Sequence, residues 1–479
     1  MGERAGAHYL EDMREAESLF ATLRQSADAA SVDAIERLVR DAPDRDLCRI
    51  NPLAFAGRHG LEAQRVISAF LQASRLGLFE LSWNVLCPHC SGVLDANASL
   101  KSVRNQDYCA FCAAGCEPTL DENVEVTFTV TPRVRQIAAH APNDLPFAEY
   151  LRQIFFSSGV DLPADYIERM DRIMLDAVEL PAGEKAQVSL QLPAGSVILF
   201  DPVTHAAHYL DVKGEPTSER RTLSIAYGNV KAPTETTELP PGPVRITLDN
   251  RSPERVLPGL WMSGDEMNDM IGRRQPFLTA KHLFTNQTFR DLYRTDTLDI
   301  DQRLKITSLT FLFTDLKGST DLYERVGGLV AFDLVQSHFK VLQEIVAQEA
   351  GAVVKTIGDA VMATFPTPDR ALSAALRMRE AMVELNRRES TEDLLLKIGI
   401  HEGPCLAVNL NERQDYFGQT VNIASRVQAL AGSRSILTTA PVVQHPEAAA
   451  ILKAGGLKPT AQQRSVRGLA GEVAIYEIP

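Results

Sequence analysis

The stretch TSLTFLFTDLKGST, residues 307–320, determines how the C-terminal part of this chain is interpreted. Its apolar beginning predicts a buried β-strand that ends at Asp315. The turn Gly318-Ser319-Thr320 then opens a predicted helix, whose apolar face holds Leu329, Phe332, Val335, Phe339, Leu342 and Val346. A carboxylate at a strand end, followed by the N–H groups of such a turn, suits a metal ion and a phosphate. The plain alternative is a helix cap.

A second carboxylate lies in VVKTIGDAVMATF, residues 353–365, which predicts two short strands around a turn. Asp359 stands at the tip of that turn, and Lys355 lies on the strand before it. The plain alternative is a hairpin with a turn aspartate. If Asp359 lies beside Asp315, the two carboxylates complete a two-metal site of the kind that serves phosphoryl transfer.

Further elements follow this hairpin. Residues 369–386 predict a helix, and LLLKIGIH and PCLAV predict two strands. The segment from Asp415 to Arg426, DYFGQTVNIASR, predicts another helix. Asn422 and Arg426 are four residues apart and therefore share one helix face, although each taken singly is an ordinary surface residue.

Together these segments resemble the class III nucleotidyl cyclases, from about Ile306 to Pro479. FTDLKGST, VVKTIGDAVMATF, GIHEGPCLAV and DYFGQTVNIASRV occur in the order and spacing of that family. The resemblance implies a ferredoxin-like βαββαβ core that forms a head-to-tail homodimer. It also implies two shared active sites that convert a nucleoside triphosphate to its 3′,5′-cyclic monophosphate and pyrophosphate.

The resemblance assigns a role to individual residues. It implies that Asp315, Asp359 and the backbone carbonyl of Leu316 bind two Mg²⁺ or Mn²⁺ ions per active site. Asn422 of the partner subunit would orient the ribose, and Arg426 of the partner subunit would stabilise the transition state.

Base recognition and phosphate binding follow from the same resemblance. Lys355 and Asp415 match the pair that reads adenine, which makes ATP the expected substrate, because guanine presents a donor at N1 and an acceptor at O6. The further substrate-binding positions are Gly318, Ser319, Thr320 and Arg467. Arg467 only neighbours the usual lysine position, where this chain has Leu469.

Two cysteine pairs, CPHC at 87–90 and CAFC at 109–112, are separated by 18 residues. This spacing predicts one structural Zn²⁺ per chain, bound by four thiolates that leave no position for a substrate water. The ligands are Cys87, Cys90, Cys109 and Cys112.

The predicted fold class is an α+β multidomain protein. Its parts are a helical, winged-helix-like module (1–80), a zinc ribbon (81–120), a β-sandwich-like domain (121–262), a helical connector (263–304) and the ferredoxin-like cyclase domain (305–479). For the first module, a small helical unit packed on the following segment is the alternative. The strands of the sandwich are expected to be antiparallel. Residues 231–243 are expected to form a loop within it, because their prolines cannot lie in a central strand. His205 and His208 are expected on opposite faces of one strand.

Composition excludes several classes. The 479 residues contain 49 Lys plus Arg and 62 Asp plus Glu, a net charge of −13, which argues against general nucleic-acid binding. No apolar run approaches a membrane span, and the N-terminus carries acids where a secretory signal needs a basic start. A cytoplasmic location and no membrane partner are therefore expected.

The sequence as a whole predicts a homodimeric adenylate cyclase regulated by its N-terminal half, whose ligand or protein partner it does not identify. That half resembles the region ahead of some bacterial cyclase domains. Three alternatives remain open: a guanylate cyclase, a catalytically silent nucleotide-binding domain, and a DNA-binding regulator.

Overall fold

The computed structural model describes residues 15–104, 106–228, 235–294, 298, 302–410, 413–465 and 472–479. The chain divides into two compact units. The first comprises Met1–Pro118 and Glu122–Leu278, and the second comprises Thr119–Asp121 and Thr279–Pro479. The first unit thus includes the helices, cysteine pairs and β-rich region that the sequence analysis separates, and its boundary falls inside the predicted connector. Within the described ranges, no helix is long and apolar enough to cross a membrane.

The first unit begins with helices packed on a small sheet. Helices run over 15–23, Ala29–Asp41, Pro52–His59 and Ala63–Arg75. In the sheet, Phe79–Leu86 lies between Val93–Asn97 and Val124–Val130. The ring of Phe70 packs 5.2 Å from those of Phe79 and Phe128. This packing is the one given by the alternative to the winged-helix prediction, a small helical unit packed on the segment that follows it.

Two sheets packed around one apolar core form the β-rich region. The five-stranded sheet has the order Glu235–Leu239, Ala206–Val212, Gly195–Asp201, Gly259–Met262, Met174–Ala177. The three-stranded sheet has the order Arg221–Tyr227, Gly242–Asn250, Lys185–Leu192. Their shared core includes Val188, Leu199, Leu210 and Ile246. The predicted sandwich is therefore present.

The prediction that all its strands are antiparallel is wrong. Arg221–Tyr227 pairs in parallel with Gly242–Asn250, and Glu235–Leu239 pairs in parallel with Ala206–Val212. The reason is that the strands from Ala206–Val212 to Gly242–Asn250 alternate between the two sheets, so the two strands of each parallel pair are not consecutive in the chain.

Two local predictions in this region also need correction. Part of the predicted loop 231–243 is the edge strand Glu235–Leu239, and Pro240 and Pro241 follow it without interrupting its ladder. His205 lies before the strand Ala206–Val212, with a left-handed φ of 55°, so the two histidines do not share a strand. His208 is on that strand and its Nε2 lies 2.8 Å from Oγ1 of Thr237.

Shorter elements complete the first unit. The cysteine region has the hairpin Asp107–Cys109 and Ala114–Cys116. Short 3₁₀ helices cover Asp44–Leu47, Leu100–Ser102, Ala138–His140 and Pro142–Asp144. Further helical segments are Phe147–Tyr150, the π-helical Leu151–Phe155, Tyr166–Ile173 and Asp265–Ile271.

An eight-stranded sheet organises the second unit. Its order is Ala352–Ile357, Ala360–Phe365, Leu304–Leu316, Leu396–Leu410, Ile436–Thr439, Glu472–Ile478, Thr460–Ser465, and Arg413–Phe417 also pairs with Leu396–Leu410. The first four strands, taken in chain order, lie in the sheet as 2-3-1-4 and pair with one another in antiparallel fashion. With the intervening helices, this is the expected βαββαβ topology.

Helices flank this sheet. They are Ala280–Phe284, Gln287–Leu292, Ser319–Val326, Gly328–Gln348, Pro368–Arg388, Gln419–Ala429, Ala440–Gln444 and Pro446–Ala454. The two longest contribute to a continuous core with the sheet that includes Leu312, Val346, Phe365, Met378 and Ile400.

The two strands predicted from LLLKIGIH and PCLAV are one continuous strand, Leu396–Leu410. Pro404 is tolerated inside it because it lies opposite the register irregularity between Ile306 and Leu309, where the ladder is already interrupted. The N–H of Thr307 at this irregularity donates instead to the carboxylate of Asp121 at 3.0 Å.

Two helix predictions are wrong in detail. Asp415 does not open a helix: it lies on the strand Arg413–Phe417, and the helix begins only after Gly418. Leu329 and Phe332 are 83% and 53% exposed instead of facing the core. The helix Gly328–Gln348 buries Ala331, Leu334 and Val335 in its first turns, and the apolar pattern at this end is too continuous to indicate which face turns inward.

Candidate functional site

Asp315 and Asp359 lie at one edge of the second unit's sheet. Asp315 is the penultimate residue of Leu304–Leu316, and Asp359 occupies the turn between the two strands of the following hairpin. The backbone N–H of Leu316 donates to Oδ2 of Asp359 at 3.2 Å. The fold therefore brings the two predicted carboxylates together at the ends of adjacent strands.

Lys397 is a site neighbour that the sequence analysis missed. It stands directly opposite Asp315 in the strand register, and its Nζ lies 3.4 Å from Oδ2 of Asp315. The alternation of polar and apolar residues in LKIGI places Lys397 on the opposite face from Leu396 and Ile398, but it does not identify the partner strand. Only the sheet order gives that partner.

The Gly318 turn connects the Asp315 strand to a helix, as predicted. Gly318 has a left-handed φ of 72°, a conformation that glycine adopts without strain. The helix Ser319–Val326 follows directly. The backbones of Ser319 and Thr320 open it, while their side chains lie outside the described part of the structure.

Lys355 and Asp415 are in contact although 60 residues separate them in the chain. Lys355 Nζ donates to Oδ2 of Asp415, and Oδ1 of Asp415 accepts from the N–H of Tyr416 at 2.9 Å. The Lys355 side chain is 43% exposed and that of Asp415 is 11% exposed. The cation therefore reaches solvent beside a carboxylate fixed on a buried strand.

Asn422 and Arg426 lie on the helix Gln419–Ala429, one turn apart. This helix packs closely on the sheet at Gly399. A Cβ atom at that position would lie only 2.2 Å from the backbone N of Gln428 on the helix. Asn422 is exposed. Arg467 lies outside the described residues.

A fully buried histidine lies on the helix that follows the Gly318 turn. Burial lowers the pKa of His338 to about 4, while the nearby Asp359 opposes that shift. Its Nδ1 lies 3.5 Å from the sulfur of Met382. The imidazole is thus neutral and belongs to the core behind the Asp359 turn.

In the first unit, the four predicted cysteine ligands converge. The sulfur atoms of Cys87, Cys90, Cys109 and Cys112 all lie within 4.8 Å of one another. Each pair sits on a tight turn followed by a residue with left-handed φ, Ser91 at 57° and Ala113 at 50°. The N–H of Gly92 donates to Sγ of Cys90 at 3.4 Å.

These sulfurs fit a tetrahedral thiolate site. The Sγ atoms of Cys90 and Cys109 are 3.8 Å apart, which is far longer than a disulfide bond and close to the ~3.8 Å edge of a tetrahedron with Zn–S bonds of about 2.3 Å. A hydrogen bond with Cys109 lowers the pKa of Cys87 and raises that of Cys90. Cys116 lies outside the cluster, where its Sγ donates to the carbonyl of Leu86 at 3.7 Å.

Comparison with known families assigns both parts of the chain. Residues 302–476 match the adenylate and guanylate cyclase catalytic domain, and the chain therefore carries such a domain in its C-terminal part. Residues 13–291, more than half of the chain, match a family of unknown function, DUF5939. The protein belongs to that family.

Individual cyclases are similar to parts of this chain. An adenylate cyclase of Anabaena cylindrica is 29% identical over 188 residues, which cover 36% of each chain. Guanylate cyclase 32E of Drosophila melanogaster is 30% identical over 140 residues, covering 27% of this chain and 12% of that protein. The adenylyl cyclase CyaB from P. aeruginosa, a solved structure, is 22% identical with a TM-score of 0.33, covering 37% of this chain and 96% of that one. This chain thus spans about a third of the Anabaena protein and a smaller part of the Drosophila protein.

Proposed function

We propose that this protein is an adenylate cyclase that converts ATP to 3′,5′-cyclic AMP and pyrophosphate. The observation that carries the choice of adenine is the contact between Lys355 and Asp415. The N6 amine of adenine can donate to a carboxylate, and its N1 can accept from an ammonium group, so this pair complements adenine. Guanine instead has a donor at N1 and an acceptor at O6, so neither Lys355 nor Asp415 would find its hydrogen-bond partner.

The reaction centre in this proposal is the sheet edge that holds Asp315 and Asp359. Two carboxylates and the Leu316 carbonyl are oxygen ligands, the kind that Mg²⁺ and Mn²⁺ prefer. When bound there, two such ions would supply neutralisation of the triphosphate and activation of the ribose 3′-hydroxyl. The Leu316–Asp359 hydrogen bond holds the second carboxylate in place, and Lys397 offsets the charge of the first.

The remaining reactive groups are proposed to come from the partner subunit of a homodimer. Asn422 of the partner subunit would orient the ribose, and Arg426 of the partner subunit would stabilise charge on the reacting phosphate. Exposed apolar residues support such an interface. Ile357, beside the Asp359 turn, is 54% exposed, and Phe417, just before the helix of Asn422, is 67% exposed.

The first unit is proposed to regulate the second, with one Zn²⁺ bound by its four converging cysteines as a structural ion. All four ligand positions are taken by thiols, so the ion would stabilise the fold and not act on a substrate. The protein is proposed to work in the cytoplasm.

The decisive experiment measures initial rates of cyclic AMP and cyclic GMP formation from ATP and GTP with Mg²⁺ or Mn²⁺. The intact chain should strongly prefer ATP. Lys355→Glu combined with Asp415→Cys should erode that preference by several orders of magnitude in kcat/KM, because the altered groups no longer match adenine. Lys340→Glu, a change at an exposed lysine of the same unit, is the matched control and should leave the ratio unchanged.

Two outcomes would contradict the proposal. Equal rates with ATP and GTP in the unaltered chain would reject adenine recognition. Absence of either cyclic product from folded protein would reject cyclase activity and favour the silent nucleotide-binding alternative.

A further inference from the structure

One arginine connects the two strands that carry the base-reading pair. Arg290, on the short helix Gln287–Leu292, donates through Nη2 to the carbonyl of Val354 at 3.3 Å and to the carbonyl of Gln414 at 3.0 Å. These residues directly precede Lys355 and Asp415. Within the described sheet, the two strands do not pair with each other, so no backbone ladder sets their separation.

The backbone geometry at Val354 explains why its carbonyl is free for this bond. The register of Ala352–Ile357 against Ala360–Phe365 shifts between Val353 and Lys355, which makes Val354 a bulge residue. A bulge interrupts the ladder locally and re-aims the neighbouring side chain. Here the next side chain is that of Lys355, and the bulged carbonyl accepts from Arg290.

The helix that presents Arg290 is itself fixed in place. The Asn286 side chain caps it by accepting from the N–H of Phe289 at 3.1 Å, and Phe289 is 2% exposed. Oε1 of Gln287 accepts from the N–H of Val353 at 2.8 Å, one residue before the bulge. The helix therefore contacts the Lys355 strand at two successive residues.

The position of this helix in the chain suggests why it matters. Arg290 lies inside the segment 13–291 that matches the family of unknown function, yet it belongs to the compact unit that contains the cyclase sheet. A residue of the segment that matches the family of unknown function thus contacts the backbone of the two strands that carry Lys355 and Asp415.

We propose that Arg290 is a positioning residue that sets the spacing of Lys355 and Asp415, and thereby the preference for ATP over GTP. This inference rests on the proposed function. Arg290 acts on the substrate only through the two strands, by holding two carbonyls with one guanidinium group. Any change in the segment before residue 291 that moves the helix would alter base recognition by the same route.

The test uses the full chain and compares ATP and GTP kinetics. Arg290→Met keeps the apolar stem of the side chain and removes the donors, so it should raise KM for ATP and lower the ATP/GTP ratio of kcat/KM by roughly tenfold to a hundredfold. Arg290→Lys, which retains one cationic donor group, should restore part of the ratio. Arg294→Met is the matched control, because Arg294 is exposed and, like Arg290, lines a pocket of about 210 Å³ beside Val354 and Gln414. Within the described structure, Arg294 donates to neither of these carbonyls.

Each result decides the inference. An unchanged ATP/GTP ratio and KM in folded Arg290→Met protein would overturn it, and so would an equal loss of kcat with both nucleotides. If Arg290→Met does not fold, the variants Arg290→Lys and Arg290→Gln decide, provided that each keeps the melting temperature of the unaltered chain. A normal ATP/GTP ratio in both would overturn the inference. Failure of the unaltered chain to form either cyclic nucleotide would instead reject the proposed function and this inference with it.

Discussion

The backbone N–H of Leu316 donates a hydrogen bond of 3.2 Å to Oδ2 of Asp359, which lies 43 residues further along the chain. This bond links the end of the first strand to the turn of the hairpin and fixes one carboxylate beside the other. A side-chain amide oxygen can accept the same bond. Replacing Asp359 with asparagine would therefore remove a negative charge from the site and keep this hydrogen bond.

We predict that Asp359→Asn leaves the fold intact and lowers kcat by at least roughly 10²–10³-fold, because it removes stabilisation of charge in the transition state. Initial-rate measurements with ATP, together with the melting temperature, check this. Asp333→Asn, at an exposed carboxylate of the same unit, should have no effect. Normal turnover by folded Asp359→Asn protein would show that Asp359 is no metal ligand.

The cysteine cluster predicts about one zinc per chain in protein purified under reducing conditions, measured by elemental analysis. Cys87→Ser should lose the ion and lower the melting temperature of the first unit, since a structural zinc site contributes directly to folding stability. Cys116→Ser is the matched control, because its Sγ lies outside the cluster and a serine hydroxyl can also donate to the Leu86 carbonyl. Zinc-free protein of full stability would contradict the site.

A shared active site predicts rescue between two inactive variants. Homodimers of Asp315→Ala and of Arg426→Ala should each be nearly inactive, but a heterodimer of the two has one intact site. Mixing them under conditions of subunit exchange should therefore restore cyclic AMP formation in proportion to the heterodimer fraction.

The control for this experiment combines Asp315→Ala with Asp359→Asn. Both lesions then affect the metal-binding half of the site, so neither site of the heterodimer is intact and activity should stay low. If the first mixture forms heterodimers but recovers no activity, the active site is not shared between subunits.

The buried histidines of the second unit predict how its stability depends on pH. Burial lowers the pKa of His338, and likewise those of His282 and His401, to about 4. In the unfolded chain each has a pKa of about 6.5, so the unfolded state binds more protons between these values. Stability is therefore full above about pH 6.5 and is lost as the pH falls toward 4, for His338 alone by on the order of 3 kcal/mol.

Urea unfolding at a series of pH values from 7.5 to 4.5 measures this effect. His338→Met should flatten the pH dependence of the second unit's unfolding free energy, because one titrating group is removed. His89→Gln, at an exposed histidine of the first unit, should not change it. An unaltered slope in folded His338→Met protein would contradict the assignment.

Much of the second unit could be predicted from local patterns. The apolar strand before Asp315, the hairpin around Gly358 and the helix near 369–386 all formed within a few residues of their expected bounds. Errors arose where two faces of an element looked equally apolar, as at Leu329, or where a proline suggested an end, as at Pro404. In both cases the answer depended on a partner element elsewhere in the chain.

The sequence by itself determined the residue types of the candidate sites and their spacing: two cysteine pairs on tight turns, two aspartates near strand ends, and Asn422 and Arg426 one helical turn apart. These follow from local geometry, because turns and helices fix neighbours within a few residues. Contacts such as Lys397 with Asp315, Lys355 with Asp415 and Arg290 with two strand carbonyls were decided only by the tertiary structure. Their members lie on different strands and helices, and strand order and register, which no local pattern encodes, bring them together.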